Sequence, residues 1–238
     1  WLHFKFSWMM EMEYRANFLI YLFIHFLWAG LDLVFTLVIV GVGRIGDWTV
    51  PQAIIAFCLL RIVDIVPWGW FLESFSLLPS FVNDGGMDTI LTKPIDSQYL
   101  ISIKKFSFSM IISNLVGGTI ALIYIFYKYN IWPSAIQYLS FAFLLVISLF
   151  LIYGMYFLSM TVLLYTNRLN NIQQLFIQLF DMSRLPKEVY VGATRIILTS
   201  ILPIALMIAV PAEALFKGPD PLMWIYFAVL AIVFLLLG

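Results

Sequence analysis

The sequence predicts an all-α integral membrane protein: six transmembrane helices, an N-terminal helix lying in the interface, and both termini in the cytoplasm. Three observations predict it. The 238 residues are 63% hydrophobic and only 11% charged, with a mean hydropathy of +1.00, against about 45–50% apolar and about 25% charged in average soluble domains. Six stretches are apolar over the roughly 20 residues that a helix needs to cross a hydrocarbon core of about 30 Å. Lys and Arg are divided unequally between the two sets of connections.

The six stretches are 17–43, 52–81, 100–128, 134–165, 191–215 and 222–238. They are too long and too continuously apolar for the alternating strands of a barrel. Helix is then the structure that satisfies the backbone of a spanning chain. With the N-terminus inside, the cytoplasmic side holds Lys5, Arg15, Lys93, Lys104, Lys105, Arg168, Arg184, Lys187 and Arg195, which is nine; the outer side holds Arg44, Lys128 and Lys217, which is three. Arg61 lies within a span. Residues 1–238 read as a single transmembrane domain.

Net charge is zero, so nothing suggests the clustered Lys/Arg of a nucleic-acid surface. Cys58 is the one cysteine, which leaves no disulfide within the chain and no cysteine metal site. The chain opens on Trp1 and stops in an apolar run at Gly238, which reads as trimmed ends. No basic stretch followed by a short apolar core and a small-residue cleavage site opens it, so no removable signal peptide is expected.

Three cytoplasmic parts do not span. In "WLHFKFSWMMEMEYR" the polar His3, Ser7, Glu11 and Arg15 recur every four residues among Trp, Phe and Met. This suits an interfacial helix over 1–15, although the alternation from Leu2 to Trp8 also fits a short strand. In "RLNNIQQLFIQLFDMSRL", Ile172, Leu175, Phe176, Leu179 and Phe180 form one helical stripe, with Asn171, Gln173, Gln174, Gln178 and Asp181 opposite. An amphipathic segment over 168–187 is expected, broken by Pro186. The third part is a polar island, "GGMDTILTKPIDSQYL". Asp84 or the glycines can start a short helix over Met87–Thr92. Lys93 before Pro94 ends it, and Asp96 or Ser97 can cap the third span. Ile90 and Leu91 would be presented amid polar neighbours, as a knob for a partner's groove; a plain solvated turn is the alternative.

Other motifs carry less. "GVGRIG" at 41–46 has the letters of a dinucleotide fingerprint, but it follows a membrane span rather than a strand. His3 and His25 are the only histidines, too few for a His-rich metal site. His25, Asp32, Arg61, Asp64 and Glu73 lie within spans, where ionisable groups are functional candidates. Arg61 and Asp64 are one turn apart and can pair. His25 and Asp32 share a helix face and could relay protons, or Asp32 could pack against another helix. Pro203 and Pro211 are expected to break the fifth span, so that the piece Ala212–Phe216 either dips back into the membrane or forms an ordinary outer turn.

The pattern "G-x-D-x-x-L-x-x-P", carried by Gly86, Asp88, Leu91 and Pro94 after the second span, resembles the type-2 permease subunits of bacterial ATP-binding cassette transporters. So does "FDMSRLPKEVYVGATRIILTSILPIALMIAVPAEAL", with Pro186, Tyr190, Arg195, Pro203 and Pro211. The resemblance implies a permease, an exporter by family habit, working as a dimer with an identical or related chain in the bacterial inner membrane. It implies that Gly86, Met87, Asp88, Ile90, Leu91, Thr92, Lys93 and Pro94 form a coupling helix docking on one of two ATPase subunits. Gln174, Gln178, Asp181 and Arg184 would make a second contact. ATP and Mg would belong to those partners: "GxxxxGK[ST]" is absent here, and no cofactor or metal is expected on this chain. A competing reading is a secondary transporter with coupled protons on His25, Asp32, Asp64 or Glu73; a lipid-modifying enzyme is a third.

Overall fold

The first helix, α1 (Leu2–Glu13), turns at Tyr14 into α2 (Arg15–Val42), and from there to the last residue all regular structure among the described residues is helical. The structure is a computed structural model and describes residues 2–42, 50–130, 132–164, 174, 177–182, 190–217 and 221–237. After α2 come α3 (Val50–Val63), a π-helical turn (Pro67–Phe71), α4 (Leu72–Phe75) and α5 (Leu78–Asn83). The short α6 (Gly86–Leu91) and α7 (Ser97–Ser102) precede the long α8 (Phe108–Tyr129) and α9 (Ala135–Leu164). The chain resumes with α10 (Gly192–Ile196) and closes with α11 (Leu206–Lys217) and α12 (Pro221–Leu237).

Among the described residues, four stretches are long and apolar enough to cross a membrane: Arg15–Val38, Val50–Asn83, Phe108–Tyr129 and Ala135–Thr161. Two apolar helical stretches, Gly192–Ile201 and Pro221–Leu237, are shorter. The alternation at Leu2–Trp8 is resolved as helix.

Two expectations about the spans change, and one, the break at Pro203, is met. The span expected at 100–128 begins only at Phe108, because α7 stops at Ser102 and residues 103–107 are not helical. The span expected at 191–215 is interrupted at Leu202, which is extended (φ −117, ψ 90) and is followed by a 3-10 turn, Pro203–Ala205. Proline drives the residue before it out of the helical region. Pro211, by contrast, breaks nothing. It lies inside α11, and Ala212, Ala214 and Leu215 beside it are buried, so Ala212–Phe216 is no separate re-entrant piece.

A π turn also interrupts Val50–Asn83, and proline is its local cause. Pro67 has no N–H to give the preceding turn, and Leu72 N–H reaches back five residues to the Pro67 carbonyl. Such bulges widen a helix by one residue.

In lipid, close packing rather than exclusion of water holds helices together. α9 packs against both α11 and α12, and α3 against α8. At Gly154 a Cβ would lie 2.8 Å from the Phe234 carbonyl carbon, so α9 and α12 meet backbone to backbone. Tyr156, Leu151, Met207 and Phe227 fill the core around that contact. α2 is different: none of its most apolar window is buried in the chain.

Candidate functional site

The polar island folds as a short helix anchored on one side. Gly85 opens it with φ 72, a left-handed conformation that glycine adopts without strain. Asp84 instead ends α5, and Thr92 ends α6 just before the Lys93–Pro94 pair. Asp96 then caps α7, its carboxylate accepting from Tyr99 N–H at 2.9 Å. Ile90 is only 3% exposed and joins the core, and Met87 packs partly against it. Ile90 therefore anchors the helix rather than being presented to a partner. Leu91 is 63% exposed, and Asp88, Thr92, Lys93 and Pro94 are exposed around it.

Beside this helix, the non-helical residues 103–107 have their backbone satisfied by two side chains and a backbone carbonyl from three other elements. Ser74 Oγ donates to the Lys105 carbonyl at 2.7 Å and accepts from Lys105 N–H at 3.0 Å. Ser7 Oγ accepts from Phe106 N–H at 3.2 Å, and the Gly69 carbonyl accepts from Ser107 N–H at 2.9 Å. Glu11 takes the first two N–H groups of α8, Phe108 at 3.0 Å and Ser109 at 3.1 Å. Non-helical backbone near membrane depth is tolerated only where protein satisfies it in this way.

This pinning explains the odd composition of α1. Its polar stripe, Ser7 and Glu11, faces the protein, while Leu2, Phe6, Met9 and Met10 are exposed. Phe4 packs edge-on against Phe106 and Phe108, and Trp8 against Phe108 and Phe18. Burial raises the Glu11 carboxyl above the ordinary glutamate range despite the two N–H bonds that favour its charge. Burial, followed by the charge of Lys104, lowers His3 below the ordinary histidine value.

Behind α1 lies a cavity of about 1230 Å³, walled by α1, α2, the π turn, α4 and residues 104–110. His3, Lys5, Glu11, His25, Glu73, Lys104 and Lys105 line it among Phe, Met and Trp side chains. Glu73 pairs with Lys105 at 2.8 Å, and Lys104 lies 4.9 Å from the centre of the Phe81 ring.

Farther along the spans, Arg61 joins two aspartates. The expected pair with Asp64 is present at 3.4 Å, and Asp32 of α2 comes closer, at 3.1 Å. Asp32 thus turns to Arg61 instead of to a relay with His25, which stacks on Tyr21 and faces the cavity. Of the second expected contact, residues 177–181 are helical, Gln174, Gln178 and Asp181 are exposed, and Phe180 is buried against Trp68. Arg184, Pro186 and most of "GVGRIG" lie outside the described residues.

No curated protein and no solved structure matches the chain. A family model described as "ABC-2 family transporter protein" matches residues 26–238. That match takes in most of α2 and everything through α12, and with them α6, the segment 103–109 and the Arg61 cluster. The chain is a multi-pass membrane protein of the ABC-2 transporter family, a permease of an ATP-binding cassette transporter.

Proposed function

We propose that this permease is the membrane half of an ATP-driven exporter, and that α6 is where a separate ATPase subunit engages it. The observation that carries the reading is the asymmetry of α6: Ile90 buried at 3%, Leu91 exposed at 63%. A rigid, anchored helix with one apolar side chain standing out transmits force; a solvated turn would not. Two ATPase subunits, each binding ATP with Mg, would close together and push on α6 in each of two permease chains, identical or related. In this reading the six apolar stretches all cross the bacterial cytoplasmic membrane, with both termini, α1 and α6 on the cytoplasmic side. The uneven Lys/Arg distribution supports that orientation. Gln174, Gln178 and Asp181, exposed on the segment that Phe180 ties to the core, would make the second contact.

The proton-coupled alternative has less to work with. Asp32 and Asp64 share Arg61, and Glu73 holds Lys105, so three of its four candidate carriers sit in ion pairs.

The test is affinity purification of the tagged chain from its own membranes in mild detergent, followed by mass spectrometry. Co-purification of a subunit carrying a phosphate-binding loop supports the reading. A well-folded chain that purifies alone contradicts it.

A further inference from the structure

We propose that the cavity behind α1 holds an anionic phospholipid, drawn from the leaflet on which α1 lies, with its phosphate at Lys5 and Lys104. The charges of the cavity decide the sign. Glu73 is paired with Lys105 at 2.8 Å, and Glu11, bound by the N–H groups of Phe108 and Ser109, sets one carboxyl against the two further cations Lys5 and Lys104. Among the described residues Lys5 and Lys104 have no ion-pair partner, and His3 lies with them in the lining. The remaining field is positive and lies beside apolar walls of Phe6, Met9, Phe18, Tyr21 and Met110.

Size argues for a lipid over a smaller anion. At about 1230 Å³ the cavity exceeds the roughly 300–1,000 Å³ of drug-sized pockets. Basic pockets between membrane helices on the cytoplasmic side recognise anionic headgroups. Leu2, Met9 and Met10 of α1 are exposed and border the cavity, an apolar edge suited to acyl chains. The proposal rests on the membrane placement of the chain but not on the ATPase contact at α6, so the two fail separately.

Native mass spectrometry of the delipidated full chain in neutral detergent tests it, with three probes: phosphatidylglycerol, phosphatidylcholine of the same acyl chains, and glycerol 3-phosphate. One phosphatidylglycerol should be retained over phosphatidylcholine, and the preference should fall about fivefold for each lysine removed in Lys5→Gln and Lys104→Gln. Glycerol 3-phosphate should not displace it. Equal retention of the two lipids overturns the proposal, as does a preference unchanged in both variants. Displacement by glycerol 3-phosphate overturns the lipid assignment in favour of a free phosphate ester. If either lysine variant fails to fold, Met9→Trp, an exposed position on the cavity wall, fills space without changing charge. It should lower retention of phosphatidylglycerol, and unchanged retention contradicts the proposal.

Discussion

Arg61 of α3 and Asp32 of α2 meet at 3.1 Å, although 29 positions separate them. The pair ties α2, otherwise packed with little of its surface buried, to the most buried face of α3. Asp64, 1% exposed, shares the same guanidinium at 3.4 Å. One buried cation therefore balances two carboxylates, and the three substitutions should not be equivalent.

Arg61→Met is expected to cost most, about 3–5 kcal/mol, because it takes the guanidinium from the buried Asp64 carboxylate and from Asp32 together. Asp64→Asn should cost less, since Arg61 keeps Asp32. Asp32→Asn should cost least, its side chain being 31% exposed, but should loosen α2. Thermal unfolding in detergent ranks the three, and Asp32→Asn as the most damaging would contradict this account of the cluster.

Glycines supply a paired test of helix packing. Gly154→Ala drives a methyl into the Phe234 backbone and should destabilise by about 1–3 kcal/mol. At Gly30 in α2, a Cβ would meet nothing within 4 Å, so Gly30→Ala should be neutral or stabilise by about 0.5–1 kcal/mol. Similar unfolding temperatures for the two variants would show that α9 and α12 do not approach as described.

The docking of α1 should depend on pH through Glu11. Its carboxyl is raised by burial, so the fold favours the protonated form. That contribution is fully present below the ordinary glutamate range and is lost as pH rises through the raised value. Hydrogen exchange at Phe108 and Ser109 N–H reports it: protection should fall across that window in the wild type. In Glu11→Gln the slope should vanish, with protection held at an intermediate level by the one remaining amide oxygen. An unchanged slope in Glu11→Gln would assign the effect to another group.

Local chemistry is legible in the sequence where it acts within a turn or two. Asp96 as a cap (of the short α7, not of the third span itself), the stop at Lys93–Pro94 and the Arg61–Asp64 pair all depend on neighbours a few residues away, and all are present. Hydropathy finds the long spans. It cannot find the break at 103–107, because that segment is held by Ser7, Glu11, Gly69 and Ser74; no spacing rule connects them. Asp32 reads as a charge at membrane depth, yet its partner lies on another helix. Pro211 misleads for a related reason: the local rule for proline predicts a break, while buried neighbours keep α11 continuous around it. Ile90 and Leu91 look alike as letters, and only tertiary packing tells the anchor from the exposed residue.

That distinction separates two substitutions in α6. Ile90→Ala should destabilise the fold by about 2–5 kcal/mol and lower expression. Leu91→Asp, on the exposed side, should change stability by no more than about 0.5 kcal/mol. Expression level and unfolding temperature of the two variants check this, and equal losses would mean that Leu91 also belongs to the core.

The decisive measurement is the ATPase rate of the co-purified complex reconstituted in lipid, compared between wild type and Leu91→Asp at equal amounts of folded permease. The account predicts that Leu91→Asp inserts and folds normally but recruits less ATPase, or leaves its hydrolysis unstimulated. Normal assembly and normal stimulation in Leu91→Asp would contradict it and remove α6 from the path between ATP and transport.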